Sequence, residues 1–191
     1  MVKHGKFRPV RLLLAVLIAY ILVLCIPNFA RLLYPLEYKG LIIEYGEQHN
    51  IDPPLLAALI KTESNFDTDA ESGKGAKGLM QITPSTGEWI AETIGLEGFN
   101  ESLLYDPETN IMLGSWYIEH LTDYYNGSFE LVFAAYNGGR GNVDKWLSDR
   151  SLSSDGRTLD TIPFLETENF VKRVEKNYNI YKRIYSWDNG E

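Results

Sequence analysis

Residues 52–63 read Asp52-Pro53-Pro54-Leu55-Leu56-Ala57-Ala58-Leu59-Ile60-Lys61-Thr62-Glu63, a pattern that is helical from end to end. Asp52 is suited to cap a helix that has Pro53 in its first position, because proline lacks an N–H that the first turn leaves unpaired anyway. From there Leu56, Leu59 and Ile60 fall on one face at helical spacing, and the same spacing carries Glu63 onto that face. A carboxyl group therefore continues an apolar stripe at the end of a helix. Desolvation disfavours its charged form, and the negative end of the helix dipole acts in the same direction, which predicts a raised pKa suited to a general acid. Taken alone, the stretch fits a solvated glutamate on the last turn of an ordinary helix better; the residues C-terminal to Glu63 shift that balance.

On either side the chain continues as helices divided by Gly, Pro, Asn and Asp signals, with no alternating β-branched run. Helices are predicted at Glu37 to His49, Pro84 to Ile94, Pro107 to Tyr125, Phe129 to Tyr136, Asn142 to Leu147 (capped by Asn142) and Glu166 to Ile184. Two loops stand out, Ser64 to Gly78 and Ser148 to Pro163. The fold class is mainly α, a single helical domain over residues 37–185 with 186–191 as a frayed tail. A hydrophobic fraction of 45% and an aromatic fraction of 13% are enough for a packed core and too high for a disordered chain.

The N-terminal part has a different character. Leu12 to Ile26 (LLLAVLIAYILVLCI) carries no charge and follows Lys3, Lys6, Arg8 and Arg11 with no acidic residue among them. This pattern predicts a cytoplasmic basic N-terminus (1–11), an uncleaved transmembrane signal anchor (12–30) and a tether (31–36) leading to a domain outside the membrane. The residues Asn28-Phe29-Ala30 make a poor cleavage site, and Cys25 follows Leu24 where a lipidated cysteine would follow a small residue. Asn28 to Leu36 spans at most about 30 Å at roughly 3.3 Å per residue, so the domain is expected to work close to the membrane.

Residues 32–191 hold 13 basic and 26 acidic side chains, a net charge of −13, which argues against nucleic-acid binding. The single cysteine lies in the apolar segment, and His4, His49 and His120 are far apart. Neither a disulfide framework nor a metal or other cofactor is therefore expected.

After Glu63 comes a polar loop with three glycines, SNFDTDAESGKGAKG, able to fold over a cleft, and then Gly78-Leu79-Met80-Gln81-Ile82-Thr83-Pro84. Gln81 offers donors and an acceptor for sugar hydroxyl and acetamido groups, or it bonds the backbone as a structural amide. Met80 and Ile82 read first as core. Ala135-Tyr136-Asn137-Gly138-Gly139 sets a ring, a hydroxyl and an amide beside glycines, as a carbohydrate cleft requires, although Gly138 needs no role beyond a helix C-terminus.

Glu63-Ser64, the GLMQITP segment, Asp106-Pro107 with Asn110-Ile111 and Gly114, AYNGG, and Glu166-Thr167 with Val171 together resemble the ordered motifs of the Slt-type lytic murein transglycosylases. The resemblance runs from about Glu37 to Tyr185. It implies a fold similar to goose-type lysozyme, with Glu63 as the only catalytic carboxyl group. It also implies that Gln81, Tyr136 and Asn137 line the glycan cleft, with Ser64 and Met80 beside it and Glu166 near its floor. Asn110 and Gly114 read mainly as helix packing. The sequence departs from the family at Phe170, where tyrosine is usual, so the ring is kept and its hydroxyl is lost.

Most glycosidases use two carboxyl groups, and this sequence supplies one well-placed carboxyl; Asp67, Asp69 and Glu71 read as solvated. The resemblance implies non-hydrolytic cleavage between N-acetylmuramic acid and N-acetylglucosamine, giving 1,6-anhydromuramyl ends. Two alternatives stand beside it: hydrolysis of the same bond, as in goose-type lysozyme, and an inactive peptidoglycan-binding module. The acidic domain would face an anionic wall, so either Lys74, Lys77 and Arg140 bring positive charge to the cleft or they are scattered, solvated basic residues.

Overall fold

The computed structural model of the chain describes residues 12–17, 20 and 30–187. Two units divide it, Met1–Pro35 and Leu36–Glu191. In the first, residues 12–17 and 30–33 are helical, and the side chains of Leu12, Leu13 and Val16 are exposed. Most of the expected anchor, together with residues 1–11, lies outside the described residues. Among the described residues no helix is long and apolar enough to cross a membrane.

The second unit is built from α1 (Lys39–Gln48), α2 (Pro53–Glu63), α3 (Pro84–Ile94), a short 3-10 helix (Glu101–Tyr105), α4 (Pro107–Tyr124), α5 (Phe129–Gly138), α6 (Arg140–Ser148) and α7 (Leu165–Ile184). The mainly α expectation holds: among the described residues there is no strand, only isolated bridges joining Glu71 to Lys77 and Lys77 to Ile82. Apolar periodicity explains the packing. Leu56, Leu59 and Ile60 of α2 are buried, and α2 packs along α7, which also holds α5. Asn177 on α7 donates to the Thr62 hydroxyl at 2.9 Å, pinning the last turn of α2.

Local chemistry differs from expectation at several helix ends. Asp52 sits at the N-cap of α2 but makes no side-chain cap bond; its carboxylate instead accepts from the Tyr178 hydroxyl at 2.6 Å. That long-range bond on an exposed face replaces the local cap. The helix predicted to stop at Tyr136 continues through Asn137 and Gly138. Gly139, at φ 85°, then turns the chain directly into α6. Asn142 therefore lies inside α6 and does not cap it, and its amide donates to the Gly138 carbonyl at 2.7 Å. The 3-10 helix, opened by the Asn100 side chain accepting from the Ser102 N–H, has no apolar period long enough to announce it.

Candidate active site

The C-terminal end of α2 brings Glu63 into a cleft of about 380 Å³ whose walls include Ser72, Lys74, Gln81, Thr83, Tyr136, Asn137 and Glu166. Glu63 is half-buried, walled by protein but open towards the cleft. Burial pushes its pKa up to about 8; the Arg173 guanidinium opposes this shift and the Glu166 carboxylate adds to it. No hydrogen bond from the described residues reaches its carboxyl. An unpaired carboxyl in such a place stays protonated at neutral pH and is ready to donate.

The Tyr136 side of the cleft is held by Met80. Its N–H donates to Asn110 Oδ1 at 2.7 Å, and its carbonyl accepts from the Tyr136 hydroxyl at 2.7 Å. Asn110 is fully buried and its amide also donates to the Lys77 and Leu104 carbonyls at 3.0 and 2.7 Å, so one side chain ties the loop after α2 to α4. Gly114, one turn further along α4, leaves room for the Met80 side chain; a Cβ there would collide with its sulfur. Gly78, at φ 73°, is equally constrained, since a Cβ would run into the Leu104 carbonyl. Burial and the nearby Glu63 keep the Tyr136 hydroxyl far above its ordinary pKa, so it remains a neutral donor.

Of the expected binding residues, Gln81, Tyr136, Asn137 and Glu166 line the cleft together with Glu63. Met80, Ser64 and, among those lining it, Glu166 depart from expectation in where they sit or what they do. Met80 is fully buried and acts through its backbone and its packing, because the GLMQITP segment is core on that side. Ser64 donates to the Leu79 and Ile60 carbonyls at 2.8 and 3.2 Å, so its hydroxyl closes the α2 end and is absent from the cleft wall. Glu166 lies on the exposed rim, not the floor, with its carboxylate 4.0 Å from the Lys74 ammonium. Gln81 is a backbone-bonded structural amide, its nitrogen donating to the Ala70 and Gly78 carbonyls at 3.1 and 2.9 Å, and the residue also lines the cleft. Asn137 accepts from the Thr167 hydroxyl at 2.8 Å, which orients its amide.

Of the expected basic residues, Lys74 lines the cleft. Lys77 does not; it is buried, donates to the Tyr105 hydroxyl at 3.0 Å and pairs with Glu71 at 3.0 Å. Asp67 and Asp69 are exposed loop residues. Phe170 is buried. Thr83 and Thr167 fall inside the quoted motifs but carry no role assigned from sequence, and Arg173 is marked by no sequence signal; their places beside Glu63 and Asn137 come from tertiary contact.

The cleft continues past Gln81, Thr83, Tyr136 and Asn137 along Thr86, Tyr117, Gly138 and Gly139. An elongated groove that passes one buried acid suits a chain-like substrate.

Comparison with known proteins agrees with this geometry. The family described as Transglycosylase SLT domain matches residues 40–156. The chain is 32% identical over 157 residues to the soluble lytic murein transglycosylase of Escherichia coli K12, covering 81% of this chain and 24% of that protein. It is similar to an inactive mutant of the lytic transglycosylase Slt from Pseudomonas aeruginosa, with TM-score 0.71 and 31% identity over 78% of this chain and 24% of that one. A 70-kDa soluble lytic transglycosylase in complex with bulgecin A gives TM-score 0.71 and 31% identity with the same coverage. The match thus spans about a quarter of the length of these relatives.

Proposed function

The chain belongs to the transglycosylase SLT-domain family, and on that basis we propose that it cleaves the β-1,4 bond between N-acetylmuramic acid and N-acetylglucosamine in peptidoglycan without water, leaving 1,6-anhydromuramyl ends. The observation that carries this reading is the single unpaired carboxyl of Glu63, held protonated by burial in the groove. Protonated Glu63 donates to the bridging oxygen as the glycosidic bond breaks, and the substrate's acetamido group stabilises the cation that develops. The Glu63 carboxylate then takes the proton of the sugar's own 6-hydroxyl as that oxygen attacks the anomeric carbon. One carboxyl serves as acid and then as base, returning to its starting state. Gln81, Tyr136 and Asn137 are assigned to the glycan and its positioning, and Glu166 to the rim. No cofactor enters. Bulgecin A, held by one relative, is proposed as a ligand of this groove.

Mass spectrometry of digested wall tests the reading. Anhydro products lighter by one water than reducing-end products are expected. Reducing ends would instead identify hydrolysis, and for that Glu166, the other carboxylate lining the cleft, would be the candidate partner.

The same proposal places the domain outside the membrane, anchored through residues 12–30, on the strength of the uncharged Leu12 to Ile26 run and its basic flank. Recovery of full-length chain in the supernatant after an alkaline wash of membranes would reject the anchor.

A further inference from the structure

Beyond the central cleft the groove opens into a second pocket of about 310 Å³, lined by Trp89, Tyr117, His120, Leu121, Arg140 and Gly141. Tyr117 belongs to both this pocket and the groove. Its ring stands 5.4 Å from that of Tyr136 and 6.0 Å from that of Trp89, so one aromatic wall runs from beside Glu63 to the far pocket. His120 stacks on Trp116 at 5.2 Å, and Trp89 meets it edge-on at 5.3 Å. These ring contacts hold the wall together, while Trp89 keeps 39% of its surface exposed.

Arg140 is the cation of this pocket. Its guanidinium lies over the Tyr124 ring, 4.8 Å from the centroid, and makes no ion pair among the described residues. Lys74, at the other end of the groove, already faces Glu166. A guanidinium seated on a ring keeps its in-plane N–H groups for a planar, bidentate acceptor, and a carboxylate fits that fork. Arg140 and Gly141 also open α6, whose dipole favours negative charge at this end. In a domain of net charge −13 over residues 32–191, an unpaired arginine beside an aromatic wall is a selective feature.

We propose that this pocket binds a carboxylate of the peptide stem carried by the glycan strand. Arg140 pairs with the carboxylate, and Trp89 and Tyr117 cover the adjoining apolar part of the peptide. The inference rests on the glycan-cleaving reading above and deepens it, making the protein prefer peptide-bearing strands to stripped ones.

The test uses the full chain with Glu63→Gln, so that bound strands persist. Two probes are titrated by tryptophan fluorescence or calorimetry: muramyl glycan tetrasaccharides with intact peptide stems, and the same tetrasaccharides after their stems are removed. The quantity read is the ratio of the two dissociation constants. Peptide-bearing strands are expected to bind roughly three- to tenfold more tightly, as for one partly exposed charge-assisted pair. Arg140→Ala and Arg140→Gln should bring the ratio close to one, Arg140→Lys should keep part of it, and added salt should shrink it. A ratio that survives loss of Arg140, or one near unity with Arg140 present, overturns the inference while leaving the glycan reading intact. Failure to bind either probe overturns both.

Discussion

Two carboxyl groups, Glu63 just before the polar loop and Glu71 within it, meet opposite fates. Glu63 is walled in, accepts no hydrogen bond from the described residues and has its pKa pushed up to about 8 by burial. Glu71 is exposed but well partnered. It accepts from the Tyr105 hydroxyl at 2.8 Å and pairs with Lys77, and these contacts hold its pKa below the usual carboxylate range. Partnership makes one group a brace for the loop. Isolation leaves the other with a proton to give away. A charged side chain around this loop therefore does chemistry where the fold withholds a partner, since a satisfied carboxylate has little reason to accept or release a proton near neutral pH.

Glu63→Gln puts the contrast under the most severe strain. It is expected to reduce release of soluble muropeptides by about a thousandfold or more, since one group serves both proton transfers. Glu166→Gln should cost less than about tenfold, because its carboxylate is on the exposed rim; a loss as deep as that of Glu63→Gln would point to a two-carboxyl mechanism. This variant should also lower the pKa of Glu63, read as a downward shift of the alkaline limb of the pH–rate profile, since a negative neighbour has gone. In the unaltered protein that limb is expected near pH 8, where the acid loses its proton.

Asn110→Ala tests what holds Met80 and, through it, the Tyr136 side of the cleft. It strips buried partners from the Met80 N–H and the Lys77 and Leu104 carbonyls, and chemical denaturation should show a loss of about 3 kcal/mol or more.

The opposite pKa shifts also predict opposite pH windows for stability. For Glu63 the folded pKa is raised, so the fold binds more protons than the unfolded chain between its ordinary value of 4.5 and about 8, and stability falls as pH rises through that window. Glu63→Gln removes this dependence. Its stability relative to the parent should climb across the window by roughly 2 to 5 kcal/mol and then level off. For Glu71 the folded pKa is lowered, so its contribution is present above the ordinary carboxylate range and fades as pH falls through the lowered value. A subtler change is expected for Lys77→Met, which should increase hydrogen exchange in the loop around residues 71–78 at neutral pH while sparing the core helices. Unchanged exchange would show that the Glu71–Tyr105–Lys77 cluster does not brace the loop.

Much of the fold is legible along the chain because helical spacing of apolar residues is local: α3 begins and ends at its predicted bounds, Pro84 and Ile94, and α2 and α4 lie within a residue of their predicted ends. The α5–α6 boundary is not, because Gly139 supplies a turn that Asn142 was expected to supply. Within the site, Glu63, Gln81, Tyr136 and Asn137 are readable from ordered motifs and do line one cleft. Ser64 and Met80 face elsewhere than expected, because a motif records that a residue matters and is silent on whether its side chain meets substrate or core. The basic residues divide the same way: Lys74 and Arg140 face the groove, whereas Lys77 is spent on Glu71 and Tyr105.

The helical class, the stripe that carries Glu63 to the end of α2 and the family whose motifs surround it are all written in the order of residues, since each depends on spacing along the chain. The burial of Glu63 without a partner, the exposure of Glu71 with two, the work of Met80 through its backbone and the lack of an ion pair at Arg140 among the described residues come from tertiary structure alone. Those outcomes depend on which distant groups arrive beside a side chain, and desolvation and pairing, the two influences that set a carboxyl's charge, act only once they have arrived.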